Sequence, residues 1–490
     1  MRQVLHSDPT PWRSPAPAGS LVDGWLVWAL AAAGLGALVG LAAAVAGPQM
    51  AVAVVVLPLL AWLFLRPDWL PAVLMVTVFS EAVSLGGLTI SRVAAPLAIA
   101  IVLLRLALVP KQVSFPRKGI LVAVGAYSVW AFASLLWTVS PDMSFGSGTT
   151  SFALSSLALS LAYFFAIAIL VDTEALLRRI IVVLWAMSVV MGAYAILQFL
   201  SGSDRSVGAS GDANFFAALE VLALPIGVVV ATHVARGHQR TIVFASLAIV
   251  IGSIMTSLSR GGLIALLGIV LLLAVQPAHT FFRTRARKTA FVSVVVIGAV
   301  GLLAVSYEAL SARTSSLFTT GDVGSYSSGR AFLWDAAEIA FREHPVLGLG
   351  AGAFPSQSND LLRRTPGVDF SVYRLRESGQ FVHNTYLESF AELGIVGGVL
   401  FLALIVAAFM TLHALVRQAS AHGDLFLAAL SRALQLALLG FALTSVFLSA
   451  QTHRTLWVLL GLALALARIV ADKGRDAATA NQVRSGVQRP

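Results

Sequence analysis

The chain has 490 residues, 58% of them hydrophobic and only 11% charged, with a mean hydropathy of +0.87; a soluble domain carries about 25% charged residues. Long apolar runs recur from Trp25 almost to the end, which excludes an ordinary soluble globule. Cysteine is absent, which excludes disulfides and thiolate metal sites. The net charge of +10 does not call for a nucleic-acid partner, because membrane proteins gather basic residues in cytoplasmic loops for topological reasons.

Residues 1–24 are polar and rich in proline (Pro9, Pro11, Pro15, Pro17), with no apolar core ahead of a cleavage site. The first span, near Trp25–Ala46, is therefore expected to be an uncleaved anchor. Crossing a bilayer takes roughly 20 apolar residues at about 1.5 Å each. On that rule spans fall near 25–46, 49–65, 69–85, 93–109, 119–138, 152–171, 176–200, 213–234, 241–258, 261–276, 290–307, 392–412, 426–449 and 455–471. The stretches 49–65, 69–85 and 261–276 are short, so the expectation is an all-α integral membrane protein of about 12–14 helices.

Lys and Arg concentrate in one set of alternate loops: Arg66, Lys111, Arg117, Lys118, Arg236, Arg240, Arg283, Arg285, Arg287, Lys288 and Arg417, with Arg178 and Arg179 at the same border. The other set holds only Arg92, Arg205, Arg260 and Arg454. The first set, both termini and the tail 472–490 are thus expected to be cytoplasmic. Residues 25–307 carry the first eleven spans and 392–471 the last three, with no internal repeat. Between them, 308–391 forms one long loop on the outer face. Within it, Leu333, Ala336, Ala337, Ala340 and Phe341 share one side at helical spacing, which predicts an amphipathic helix from Arg330 to Arg342, ended by His344-Pro345.

The outer face is poor in cations, so those it keeps are the better candidates for chemistry. Arg205 lies in the polar turn 201–212, Arg260 sits in Thr256-Ser-Leu-Ser-Arg-Gly-Gly262, and Arg330 opens the amphipathic helix. An Arg at a membrane border can simply snorkel; Arg260 is flanked by small residues that admit a close ligand. Only Lys111, Lys118, Lys288 and Lys473 among the 33 basic residues are lysine, which lowers the weight of any single Arg. Guanidinium groups hold phosphate oxygens bidentately. Several at the outer lipid boundary suit a pyrophosphate carried by a lipid. The basic run Arg283–Lys288 reads as the topology signal and a contact for anionic membrane lipids.

The second cluster is Gln380-Phe-Val-His383-Asn384-Thr-Tyr386-Leu-Glu388, running into the twelfth span. His383 can exchange a proton near neutral pH. Asn384 could orient it or a substrate hydroxyl, and Glu388, one turn on, could pair with His383 or an Arg. The plain alternative is a surface histidine beside an ordinary helix cap. Gly348-Leu-Gly350-Ala-Gly352 follows no predicted strand and reads as a tight turn rather than a dinucleotide site. Glu81, Glu220 and Arg432 are costly inside a membrane; Glu220 lies close enough to the outer end of its span to join the site. No histidine pair has metal spacing and the outer loops lack acidic metal motifs, so neither metal nor cofactor is expected.

These motifs, in order, resemble the O-antigen ligase/polymerase superfamily of bacterial envelope glycosyltransferases. The resemblance rests on Arg205 with Gly211-Asp-Ala-Asn214-Phe-Phe-Ala-Ala218, on Ser259-Arg260-Gly-Gly262, on Gly329-Arg330 with Trp334 and the later Gly348-Leu-Gly-Ala-Gly-Ala-Phe354, and on His383-Asn384-Thr-Tyr386 with Glu392-Leu-Gly394. It covers residues 200–400. The family usually shows Asn-Pro-Asn where this chain has Asp212-Ala213-Asn214. The resemblance implies transfer of a glycan from undecaprenyl pyrophosphate to an acceptor hydroxyl on the periplasmic side, with inversion. The acceptor would be lipid A core in a ligase of lipopolysaccharide biosynthesis, or a lipid-linked repeat unit in a polymerase. Carried over by position, Arg205, Arg260 and Arg330 hold the pyrophosphate and His383 is the general base, with Asn214, Trp334, Asn384, Tyr386 and Glu388 around the substrates.

Two other readings are weaker. A lipid-linked glycan transporter favours ionisable groups at mid-membrane and internal repeats, and neither is the pattern here. A relative of peptidoglycan polymerases shares the many spans and a late outer loop but fits His383-Asn384 less well. The absence of metal-ligand spacing predicts that transfer by the purified protein proceeds in EDTA. An absolute need for an added divalent cation contradicts that reading.

Overall fold

The computed structural model describes residues 62–63, 65–80, 84–85, 88–108, 115, 118–140, 153–282, 284–289, 291–293, 296, 329–368, 370, 375–377 and 379–486. Residues 1–66 form a unit of their own, and the account below concerns 67–490. The expected spans 25–46, 49–65 and 290–307 lie outside the described residues, apart from a few positions at their ends.

The protein is an all-α integral membrane protein, and among the described residues eight helices are long and apolar enough to cross a bilayer. In chain order the helices are α1 (Leu70–Val78), α2 (Ile90–Leu108), α3 (Lys118–Ala133), α4 (Ala153–Leu170), α5 (Glu174–Leu200), α6 (Ala213–Val229) and α7 (His238–Thr256). They continue with α8 (Arg260–Val275), α9 (Arg330–Glu343), α10 (Phe354–Arg364), α11 (Thr385–Ala421), α12 (Leu425–Thr444) and α13 (Arg454–Gly486). The expected span 69–85 is shorter than predicted: α1 stops at Val78, and a tight antiparallel pair, Ser84–Leu85 with Leu88–Thr89, precedes α2. At the far end α13 runs on to Gly486.

Polar caps start the helices where sequence would place them. Asp212 accepts from the N–H groups of Asn214 and Phe215, Ser259 from Gly262, Asn384 from Tyr386 and Leu387, and Asp424 from Leu427. Two helices are apolar on all sides and sit inside the bundle. α6 is enclosed by α5, α7, α8 and α12; the spanning part of α13 is enclosed by α4, α11 and α12.

The loop before α11 holds two helices. α9 is the predicted amphipathic helix and buries Phe332, Leu333, Ala336, Ala337 and Ala340; Phe341 meets Phe390 edge-on at 5.7 Å. α10 was not expected. It begins at Phe354 with Pro355 in its first turn and buries Phe354, Ser358, Leu361 and Leu362 against α9. An exposed Arg364–Glu343 pair joins the far ends of the two helices and adds little to stability.

α11 starts at Thr385, ahead of the expected 392, and is broken at Gly394 (φ 66°). A break in a spanning helix leaves backbone groups that lipid cannot satisfy. The Gly348–Gly352 turn fills it. The N–H of Leu349 donates to Ala391 O at 3.0 Å, that of Gly350 to Glu392 O at 2.8 Å, and that of Ile395 to Pro345 O at 2.8 Å. Trp130 Nε1 donates to Leu393 O at 3.0 Å. Inside the turn, the Glu392 carboxylate accepts from the N–H of Gly352 at 2.9 Å and of Phe354 at 3.3 Å, at the N-terminus of α10. The loop is thereby fastened to the spans by its own backbone.

Gly394 tests this packing. A Cβ there would lie 2.1 Å from Val346 O, at a φ that L side chains rarely adopt. Gly394→Ala is expected to cost about 2 kcal/mol or more, read as a lower Tm in detergent, while Gly125→Ala, whose Cβ meets nothing within 4 Å, leaves Tm unchanged or raised.

Candidate functional site

Three segments bring the sequence-selected residues to one end of the bundle. The turn 201–212 is fastened first: Gln198 Oε1 accepts from the N–H of Val207 and Gly208, and Ser206 bonds Thr256 through backbone and hydroxyl. Arg205 then reaches across, donating from Nε to Ser257 O at 3.0 Å and from Nη2 to Asn214 Oδ1 at 3.3 Å. Asn214 Oδ1 also accepts from Ser259 Oγ at 2.9 Å. One amide thus joins the Arg205 turn, the start of α6 and the cap of α8, and Arg260 begins α8.

Glycine makes that junction possible. A Cβ on Gly262 would sit 2.5 Å from that of Ala217, so the first turn of α8 touches α6 directly. A Cβ on Gly261 would lie 2.9 Å from the Phe447 ring, which packs near Trp334 of α9 at 6.5 Å between centroids. Arg330, at the head of α9, falls within the fields of Arg260, Asp212 and Arg205. Burial, and then the Arg260 guanidinium, pull Arg330 below its ordinary value; Asp212 opposes them and Arg205 adds to them. Arg330 thus lies in the field of two other guanidinium groups and of one carboxylate, that of Asp212, which also caps α6.

His383 completes the group. Burial, and then Arg330, pull its imidazole from the ordinary 6.5 to about 4, with Asp212 opposing and Arg376 adding. Its φ is +54°, and Leu258, two residues before Arg260, has φ +50°. Among the described residues these are the two non-glycine residues with positive φ. Such strain costs on the order of 1–3 kcal/mol apiece and tends to collect at functional sites. The N–H of His383 donates to Ser449 Oγ at 3.0 Å, and Thr385 Oγ1 donates to Leu448 O at 2.6 Å, so the turn after α12 holds the strained residue in place.

Other candidates are engaged differently. Asn384 caps α11 with its side-chain oxygen. Tyr386 donates its hydroxyl to Ala442 O at 2.8 Å. Glu388 is buried beside Glu392, and its side-chain partners are Gln451, whose Nε2 donates at 3.5 Å, and Ser449, rather than His383 or an Arg. Glu220 is fully buried on α6 and bonds Ser188, away from the arginines. Trp334 is half-buried, and its Nε1 has no hydrogen-bond partner among the described residues.

Sequence reasoning passed over Asp212 and Arg376, whose charges act on His383, and over His453. The His453 ring stacks on Phe215 at 4.6 Å and 12° from parallel, and its Nδ1 meets Thr455 Oγ1 at 2.9 Å. The available signal was weak: a His-Arg pair in the short connection before the last span, on the face otherwise poor in cations.

Fold and site define a class: a multi-pass helical membrane protein with a crowded guanidinium site and a neutral imidazole at one end of its bundle. Residues 245–402 match the family model described as O-antigen ligase, a range that includes Arg260, Arg330 and His383 and leaves out Arg205 and Asn214. The chain is also similar to the exopolysaccharide production protein ExoQ of Rhizobium meliloti (strain 1021), 24% identical over 287 residues. That match covers 58% of this chain and 63% of the relative, so the chain spans less than two thirds of the curated relative it matches. Both matches agree with the resemblance to the O-antigen ligase/polymerase superfamily that the sequence motifs carry.

The imidazole gives a pH signature. A His held at about 4 in the folded chain and near 6.5 when unfolded takes up its proton mainly on unfolding. Stability is thus expected to fall as pH drops from about 6.5 to about 4. Tm measured across that range should fall less steeply in His383→Gln than in the wild type.

Proposed function

We propose that the protein transfers a glycan from undecaprenyl pyrophosphate to an acceptor hydroxyl at the periplasmic face of a bacterial inner membrane, with both termini in the cytoplasm. The observation that carries this reading is the junction in which Asn214 bonds both Arg205 and Ser259, the cap of the helix that Arg260 begins, with Arg330 in the field of both arginines and His383 in the field of Arg330. The orientation rests on the loop charges, since the cation-poor loops are those that hold Arg205 and Arg260.

In this reading the pyrophosphate lies against the guanidiniums while its lipid tail stays in the bilayer. The acceptor oxygen attacks the anomeric carbon from the side opposite the pyrophosphate, and its proton passes to a ring nitrogen of His383. The bond between carbon and pyrophosphate oxygen breaks, undecaprenyl pyrophosphate leaves, and the configuration inverts. Charge grows on the departing oxygens, where fixed guanidiniums near lipid stabilise it more than water would. The imidazole is neutral at pH 7 but, in the empty pocket, a weaker base than an ordinary histidine; a bound pyrophosphate offsets the Arg330 charge and raises its affinity for the proton it takes. Asp212 is held by the α6 cap, and its single negative charge offsets part of the positive field at Arg330 and His383.

The match to the model described as O-antigen ligase favours a ligase; in this reading its acceptor is lipid A core. Similarity to an exopolysaccharide production protein keeps a second reading open: a polymerase whose acceptor is another lipid-linked repeat unit. A deletion strain separates them: full-length polymer left on undecaprenyl pyrophosphate indicates a ligase, single repeats a polymerase. In either case His383→Ala is expected to abolish transfer while the protein still inserts and folds; wild-type activity in that variant removes the imidazole from the mechanism. Arg260→Lys should lose most activity, because a point charge does not reproduce a bidentate fork, and full retention would make Arg260 structural.

A further inference from the structure

The connection between α12 and α13 touches both halves of the site. Towards His383, Ser449 Oγ accepts from the His383 N–H at 3.0 Å, Leu448 O accepts from Thr385 Oγ1 at 2.6 Å, and the Ala450 N–H donates to Thr385 Oγ1 at 3.0 Å. Towards the arginines, the His453 ring lies flat on Phe215, the residue after Asn214, which holds Arg205 and Ser259. His453 and Ser449 are four residues apart in one short turn, so a shift of that turn moves both contacts together.

Gln451 anchors that turn. Its side chain is 4% exposed. Nε2 donates to Glu392 Oε2 at 2.7 Å and to Glu388 Oε1 at 3.5 Å; Oε1 accepts from Ser389 Oγ at 3.0 Å and Tyr127 Oη at 3.2 Å. Its carbonyl accepts from Trp457 Nε1, and Thr452 O accepts from Ser160 Oγ at 2.7 Å. A carboxamide is the neutral side chain able to donate to two carboxylates while accepting from two hydroxyls. Leucine satisfies none of these groups, and glutamate would add a third buried carboxylate. The same amide reaches Glu392, whose carboxylate holds the turn that leads into α10.

We propose that residues 448–453 form a strut that sets the spacing between His383 and the arginine turn, with Gln451 and His453 as positioning residues. The proposal rests on the transfer mechanism given above. His453 acts through the flat face of its ring against Phe215, and Gln451 acts by fixing the turn that carries Ser449. Neither takes a proton in the reaction.

The test uses full-length protein in nanodiscs and, as donor, the lipid-linked glycan extracted from a strain lacking the gene. Misplacing a reacting group by about 1 Å can cost on the order of 100-fold in rate. His453→Ala and Gln451→Leu are expected to lower kcat on that scale while the donor KM moves by less than about threefold. His453→Phe, which keeps a flat ring on Phe215, should restore kcat to within about threefold of wild type. If His453→Phe is as inactive as His453→Ala, the imidazole itself does chemistry and the strut is wrong for His453. If kcat is kept in His453→Ala and Gln451→Leu, or KM alone rises, the strut is wrong altogether. His383→Ala is assayed alongside: full activity there brings down the transfer mechanism, whereas activity lost at His383→Ala and kept at His453→Ala brings down only the strut. Should Gln451→Leu fail to fold, as judged by size exclusion, the His453 pair still decides.

Discussion

A helix that crosses lipid has no water to turn to when its backbone ladder is interrupted, so whatever interrupts α11 at Gly394 must also be answered by protein. The answer is the Gly348–Gly352 turn, whose N–H groups meet the carbonyls of Ala391 and Glu392, together with the Trp130 indole. This one junction fixes the loop helices to the spanning bundle. Glu392 extends it by holding the first turn of α10, α10 packs on α9, and α9 begins with Arg330. The orientation of a guanidinium at the membrane surface is thus traceable to a helix break inside the membrane.

The electrostatics of the site oppose its own assembly. Arg260 and Arg205 both pull Arg330 below its ordinary value, Arg330 does the same to His383, and Leu258 and His383 are held at positive φ. Each feature costs stability in the resting protein. They are intelligible together if the site is complete only when an anion lies among the guanidiniums, since the charge that is repulsive in isolation then becomes the source of binding and of transition-state stabilisation. Burial and the Arg330 charge keep His383 neutral and weakly basic in the empty site, and an anion beside Arg330 would relieve part of that shift.

Much of this was legible in the sequence. Span positions follow from length and apolarity, and the helix at Arg330 follows from Leu333, Ala336, Ala337 and Ala340 at helical spacing. Arg205 and Arg260 stood out because the short loops that hold them have few other cations, Arg330 because it opens the amphipathic helix, and His383 because it sits beside Asn384 just ahead of a span. What stayed hidden has physical reasons. The break at Gly394 lies inside an unbroken apolar run, and a glycine there is compatible with either a straight or a kinked helix. α10 opens on Pro355 after three closely spaced glycines and has few apolar residues, so its pattern reads as turn. Glu388 looked available for His383 on spacing alone, but the handedness of α11 carries it inward to Gln451 and Glu392. His453 gains meaning only from Phe215, far away in sequence.

The central claim is that the guanidiniums and the imidazole make one pocket for a lipid-borne pyrophosphate. The most direct measurement is a cryo-EM structure with an undecaprenyl pyrophosphate-linked sugar bound. The account predicts pyrophosphate density bounded by Arg205, Arg260 and Arg330, with the anomeric carbon facing His383 and the polyprenyl chain leading into the bilayer. Density for the pyrophosphate at another part of the protein, with these four side chains unoccupied, would contradict it.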